Sequence, residues 1–385
     1  MAGDGAMDVA GLVSQAMASA GFAGGEGDEY LAGLRVLLAD LEDGSHQPEL
    51  VARMRATIAA TLHKRFALLA QRAARPAIAQ EAIARPIFVI GLPRTGTSAL
   101  VDLLSQDPGA RCAQQWEVAH LGEPMDPASW ADDPRIAALD ARFRAEAASN
   151  PVVALGLHTY GATLPDECNS FLSLNFWSPN LSVFDHFPRY VEWLRHSRIS
   201  SPYAMHRKVL QHLQHSGGRG QWVLKSPFHV FDLPGILDAY PDAVFIQTHR
   251  DPVQLIASNC GLHATIRGEG PGDPRRLRTG PEQLALWGTG LQRALAARQD
   301  PAVDQRVVDL SHRDLLDDPL GVVRRLYALL GDTLSAEAEA RMERWIAAPA
   351  QHLSSVRFSL AEFGLTDAAV DAAFGPYRSR FARFL

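Results

Sequence analysis

Apolar positions along the chain change their spacing twice, and each spacing predicts a different kind of element. In the first 80 residues the spacing is helical. Leu31, Leu34, Leu37, Leu38 and Leu41 share one face of a helix predicted over Tyr30–Leu41. A polar break over 42–48 precedes a longer helix from 49 to about 74, with Val51, Met54, Ile58, Leu62, Phe66 and Leu69 in one stripe. Beyond residue 86 the pattern turns to short apolar runs rich in β-branched residues, at 87–90, 222–224, 243–248 and 306–310. The first is long enough for a buried parallel strand, and the others are read as further short strands. Helical spacing returns between them: from Thr97 onward, at 135–148, 233–239, from Pro252 through Cys260, at 282–297 and at 320–330. Strand and helix in alternation predict an α/β fold, a mostly parallel sheet covered by helices on both faces. The expected organisation is a helical N-terminal extension over 1–84 and an α/β domain over 85–385.

Three further stretches stand outside that rhythm. Residues 160–203 hold nine of the chain's thirty aromatics, which suits either an apolar acceptor pocket or an ordinary core. Residues 267–281 are rich in Gly, Pro and Arg and predict a mobile loop. Residues 1–28, rich in Gly, Ala and acids, predict poor order at the start. The N-terminal stripes suit packing against the main domain; they also permit a homodimer contact or a lid.

Composition narrows the partners. At 385 residues and 47% hydrophobic, the chain can bury a full core. A net charge of −6 gives no electrostatic reason to bind nucleic acid. Cys112, Cys168 and Cys260 lack the spacing of a disulfide framework or a zinc site, so a reducing, cytoplasmic location is expected. No apolar run is long enough for a membrane span, and no signal peptide is read at the N-terminus.

The candidate chemistry begins after the first strand. Gly91-x4-Gly96-Thr97-Ser98 has P-loop spacing, a strand–glycine turn–helix arrangement in which backbone N–H groups converge on a phosphate. Thr97 stands where a nucleotide triphosphatase carries its lysine. The one candidate for a metal-holding aspartate on a strand is Val307-Val308-Asp309, and Asp309 could equally begin a turn. Kinase chemistry is therefore disfavoured. The loop instead presents Arg94 at its crown, with Thr95, Thr97 and Ser98 around it, which suits a terminal phosphate-like group. A second anion site is predicted at Arg250-Asp251-Pro252, where a strand ends, with Ser258 two turns into the next helix. The pair implies a ligand with two separated phosphates. His/Asp/Glu spacing nowhere suggests a metal site.

The pair resembles the cofactor signature of sulfotransferases that use 3′-phosphoadenosine 5′-phosphosulfate (PAPS) and release adenosine 3′,5′-bisphosphate (PAP). The family loop Pro-Lys-Ser-Gly-Thr reads here Pro93-Arg94-Thr95-Gly96-Thr97, implying a grip on the 5′-phosphosulfate. The family's arginine with a serine eight positions on reads here Arg250 and Ser258, implying the 3′-phosphate site. Lys225-Ser226 matches the Lys-Ser/Thr strand end. Pro165-Asp166-Glu167-Cys168, Thr248 to Pro252, and Arg357 to Leu365 resemble a bacterial branch with a helical N-terminal region, so the resemblance runs from about residue 20 to the C-terminus. It implies a P-loop-like sheet, an acceptor-pocket insertion over about 113–215, and sulfonate transfer to a hydroxyl of a small-molecule, glycan or lipid acceptor, with no metal.

Departures leave roles open. Arg94 replaces the loop lysine and is a poor proton donor. Pro227 stands where the cytosolic small-molecule branch has its histidine base, with His229 two positions on. Ala99 and Leu100 replace an aromatic that stacks on adenine. Glu117, beside Trp116, is the first candidate for general base, with His158 and Glu167 as alternatives. Lys225 is expected beside the transferring group, and Arg357 as a second ligand of the 3′-phosphate. The rivals are an atypical P-loop kinase and a nucleotide-binding protein without catalysis.

Overall fold

The computed structural model describes residues 8–25, 27–198, 202–218, 220–348 and 356–385. The expectations for residues 1–7 and for the start of the tail at Ser355 lie outside the described residues. The chain forms two compact units. One comprises the described parts of Met1–Ile83, Trp116–Asp133 and Cys168–Arg219; the other those of Ala84–Gln115, Pro134–Glu167 and Gly220–Leu385.

The first unit is helical. Tyr30–Leu41 and Pro48–Ala74 form where the leucine spacing predicts them, and their stripes are buried: Leu34, Leu37, Met54, Ile58 and Leu62 are wholly inaccessible. Tyr30–Leu41 lies against the helix Pro188–His196. A side chain at Gly33 would meet the Phe176 carbonyl at 2.2 Å, so only glycine allows the approach. The Asp40 carboxylate accepts from the Tyr190 N–H at 2.8 Å, satisfying an orphan donor at that helix's N-terminus. Of the nine aromatics between 160 and 203, Phe171, Phe176, Trp177, Phe187, Tyr190 and Tyr203 are buried in this unit. That part of the enrichment is core, not pocket lining.

The second unit is built on a five-stranded parallel sheet. Its strands are β1 (Ile87–Ile90), β2 (Ala110–Arg111), β3 (Gln221–Lys225), β4 (Val244–His249) and β5 (Val307–Ser311). They lie in the order β2-β3-β1-β4-β5. The two-residue β2 carries no apolar pattern of its own and escapes sequence reading. Side chains alternate between two buried faces, which is why the strands read as continuous apolar runs. Ile87, Val89, Val223, Ile246 and Leu310 join Leu100, Leu103, Leu104, Val322 and Leu326 in one core cluster. On the other face Phe88 meets Tyr240 and Phe245.

The stretch 267–281, read as a loop, is turn and coil over 267–275 and differs from that reading only in its last six residues. The helix Arg276–Ala297 already includes 276–281, with Pro281 inside it. Buried charge pairing explains the difference: Arg267 pairs with Glu282 at 2.5 Å, Thr279 donates to Glu269 at 2.8 Å, and Arg276 pairs with Glu362 at 2.7 Å. Gly280 permits Phe363 to pack on the helix backbone, because a Cβ there would come within 2.1 Å of the Phe363 carbonyl oxygen.

Candidate active site

Parallel strands bring their carboxyl ends to one edge, and that edge collects the chemistry of the second unit. β1 runs into the 91–96 loop, β3 ends at Lys225, β4 ends at His249 and delivers Arg250, and β5 ends at Ser311 and delivers His312. Register fixes their juxtaposition: Val89 lies opposite Lys225, Ile90 opposite Gln247, and His249 opposite Ser311.

The loop turns sharply through three positive φ angles, at Gly91 (140°), Arg94 (70°) and Gly96 (87°). A Cβ at Gly91 would meet Thr248 Oγ1 at 2.6 Å; one at Gly96 would meet His312 Cδ2 at 2.9 Å. Both glycines are therefore required by conformation and by space. Arg94 is the exception, a long side chain in the left-handed region, at a cost of about 1–2 kcal/mol. One buried leucine contributes roughly 1.5–3 kcal/mol, so the sheet easily carries that strain. Thr95 is fully buried; its hydroxyl donates to the Leu92 carbonyl at 2.7 Å and lies 2.6 Å from Thr248 Oγ1. Thr95 thus locks the loop, and its side chain serves the turn.

The two predicted anion sites meet. Arg94 Nε donates to Ser258 Oγ at 3.2 Å and Nη1 to the Leu157 carbonyl at 2.9 Å, while Arg250 Nη1 donates to the Arg94 carbonyl at 2.9 Å. Arg94, Gly96, Thr97, Ser98, Arg250, Ser258 and Arg357 all line one cavity of ≈ 720 Å³, together with His158. Its described lining contains three arginines and no carboxylate. Among the described residues neither Arg94 nor Arg250 forms an ion pair with a carboxylate. Burial, and then the Arg250 charge, lowers the Arg94 pKa; burial, and then Arg357, lowers that of Arg250. The charged form of each guanidinium is thus disfavoured by burial and by a neighbouring like charge.

Lys225 approaches the same loop from β3. Its ammonium donates to Ser98 Oγ at 3.0 Å and pairs with Glu167 Oε1 at 2.5 Å. The lysine is 4% exposed and the glutamate 26%. Glu117 belongs to the first unit, in the short helix Gln115–Ala119, where its carboxylate is wholly buried and accepts from Trp130 Nε1 at 2.9 Å. Pro93 shapes the turn and is not part of the cavity wall. His229, beyond Pro227, is fully buried edge-on to Phe88. Asp309 sits within β5, held by both Arg298 nitrogens at 2.7 and 2.9 Å and by His249 Nε2 at 2.8 Å. Its carboxylate is occupied by that pairing.

Sequence reasoning missed His312. The imidazole lines the cavity, and burial, followed by the Arg250 and Arg94 charges, pushes its pKa down to about 4. The available signal was positional: it follows β5 as Arg250 follows β4. Trp345 and Phe358 also line the cavity; Phe358 lies in the Arg357 to Leu365 stretch, and no motif marks Trp345.

Residues 86–335 match the model of the sulfotransferase family. The chain is 33% identical over 110 residues to omega-hydroxy-beta-dihydromenaquinone-9 sulfotransferase Stf3 of Mycobacterium bovis, and equally to that of Mycobacterium tuberculosis. The match spans 28% of this chain and 28% of the length of those curated relatives. Among solved structures, sulfotransferase STF9 from Mycobacterium avium is similar with a TM-score of 0.88 at 27% identity, covering 99% of this chain and 98% of that one. Sulfotransferase STF1 from Mycobacterium tuberculosis gives 0.80 at 31% identity, covering 96% of this chain and 99% of that one. The parallel sheet, the glycine loop and the paired arginines thus occur in a chain that belongs to the sulfotransferase family.

Proposed function

We propose that the protein transfers a sulfonate group from PAPS to a hydroxyl of a small-molecule, lipid or glycan acceptor, releasing PAP. The observation that carries this reading is the cavity in which Arg94, Arg250 and Arg357 gather with Ser98 and Ser258 and without a carboxylate in the described lining. Those residues fit a ligand with separated anionic groups: the loop and Arg94 for the 5′-phosphosulfate, Arg250, Ser258 and Arg357 for the 3′-phosphate. PAPS supplies the activated sulfonate. The chain supplies position and charge, because an in-line displacement asks chiefly for those. Arg94, always protonated, neutralises charge on the leaving phosphate and does not deliver a proton. Lys225, held at Ser98, brings a second and transferable positive charge to the loop.

The acceptor hydroxyl must lose a proton. Glu167 is the base this reading favours, because its carboxylate is partly exposed and tied to the loop through Lys225 and Ser98. The wholly buried Glu117 already accepts from Trp130. His158 lines the cavity and is assigned to acceptor or nucleotide contact. The relatives named for a dihydromenaquinone hydroxyl support a lipid-like acceptor within the proposed range. Among the described residues no helix is long and apolar enough to cross a membrane. All three thiols are free and buried, which supports a cytoplasmic location.

The test is a thermal-shift titration followed by transfer assays with labelled PAPS. PAP raises Tm and ATP–Mg²⁺ does not. Stabilisation by ATP–Mg²⁺ with ATP consumption would favour a kinase instead. PAP binding without transfer to any phenol, sterol, quinol or glycan would leave only a nucleotide-binding protein.

A further inference from the structure

Arg250 lines the cavity, and the residues on either side of it are both held by the C-terminal helix. The Tyr377 hydroxyl, on the C-terminal helix Asp367–Phe381, reaches the residue that precedes Arg250. The same hydroxyl lies 2.9 Å from His249 Nδ1, and His249 Nε2 lies 2.8 Å from Asp309. Asp309 is in turn held by both Arg298 nitrogens. Tyr377 and His249 are buried, and the imidazole stacks on Phe381 at 4.2 Å. One residue on, Arg378 donates to the Asp251 carboxylate at 3.2 Å, while Asp251 caps the next helix by accepting from the Val253 N–H at 2.8 Å.

We infer that the C-terminal helix is the positioning element for the anion-binding arginine: the Tyr377 hydroxyl, backed by His249, Asp309 and Arg298, sets where the Arg250 backbone leaves β4. The inference rests on the two-phosphate reading above. Proton directions in the relay follow from the geometry. The Asp309 carboxylate only accepts, so His249 donates to it from Nε2, and the neutral imidazole then accepts at Nδ1 from the Tyr377 hydroxyl. Every polar atom along the relay is satisfied by this single arrangement. Burial supports it by raising the Tyr377 pKa and lowering that of His249, which keeps the phenol protonated and the imidazole neutral. A relay so satisfied is rigid, and it fixes His249, the residue from which the chain passes to Arg250 and the cavity.

Tyr377→Phe removes one oxygen and keeps the ring. The readout is calorimetric affinity for two probes, PAP and adenosine 5′-monophosphate, which lacks the 3′-phosphate assigned to Arg250. We expect Tyr377→Phe to weaken PAP about tenfold and the monophosphate hardly at all. Combined with Arg250→Ala it should add nothing further. A general loss of structure would weaken both probes together. If wild type prefers PAP and Tyr377→Phe weakens both equally or neither, the inference fails and the two-phosphate reading stands. If wild type binds PAP no better than the monophosphate, that reading fails and the inference with it. Should Tyr377→Phe not fold, Arg378→Ala, on a partly exposed residue, tests the same grip: a smaller but equally selective loss supports it, and an unselective or absent effect overturns it.

Discussion

Arg94 joins two roles in one residue: it bends the loop through a left-handed backbone and turns its guanidinium to Ser258 on the neighbouring element. A motif reading sees the charge but not the bend. The reverse holds for Thr95, which reads as a phosphate ligand and instead spends its hydroxyl inside the turn. Glu167 and Glu117 make the contrast testable. Glu167→Gln should lower kcat about 10²-fold while leaving PAP affinity nearly unchanged. Glu117→Gln should keep turnover and lower Tm, because a buried carboxylate accepting from Trp130 is worth about 1.5–3 kcal/mol. Steady-state turnover and a melting curve on both variants decide it; the opposite outcome returns the base to Glu117.

At the scale of elements, the loop works because the helix after it begins against another strand's product. Gly96 → Ala would press a methyl toward His312 and Leu315 in a left-handed backbone. We expect a cost of about 1–2 kcal/mol, a Tm lower by a few degrees, and clearly weaker PAP binding. Gly268 has a similar φ of 67° with open space around it, so Gly268→Ala should show the strain without the binding loss. Equal PAP affinity in both variants would mean that the contact with His312 is irrelevant to the site. The helix Arg276–Ala297 carries the complementary lesson. Its first turns have the composition of a loop, and a buried hydrogen bond to Glu269 and an ion pair with the more exposed Glu362 hold them as helix.

For the whole molecule, buried or half-buried imidazoles set the acid limit of stability; burial lowers the pKa of His249 as it does those of three others. His206 is pushed down to about 3 by burial, and His212 to about 4 by burial and then by Arg72, His215 and Arg75. His312 is held at about 4 by burial and two arginines. Each titrates near 6.5 once the chain unfolds, so between that value and about 4 the unfolded state binds more protons. Stability is therefore fully present above pH 6.5 and is lost as pH falls toward 4. Differential scanning calorimetry from pH 8 to pH 4.5 should show a flat Tm followed by a decline, less steep in His312→Asn; a Tm independent of pH across that window would contradict the assignment.

Local chemistry determined what was legible in the sequence: β-branched runs buried on both faces, leucine stripes at helical spacing, and a loop whose glycines are demanded by backbone geometry. Arg94 and Arg250 could be singled out because each follows a strand end, where the local pattern announces the position, and Ser258 through its spacing of eight from Arg250. Parallel pairing, which is long-range, decided the rest. It set β1 between β3 and β4, and so brought Arg94 to Ser258 and Lys225 to Ser98 and Glu167. It placed His312 in the cavity and joined Tyr377 to His249 across 128 positions of chain. Those contacts depend on which strands are neighbours and on which face each helix returns, and no window of sequence contains that information.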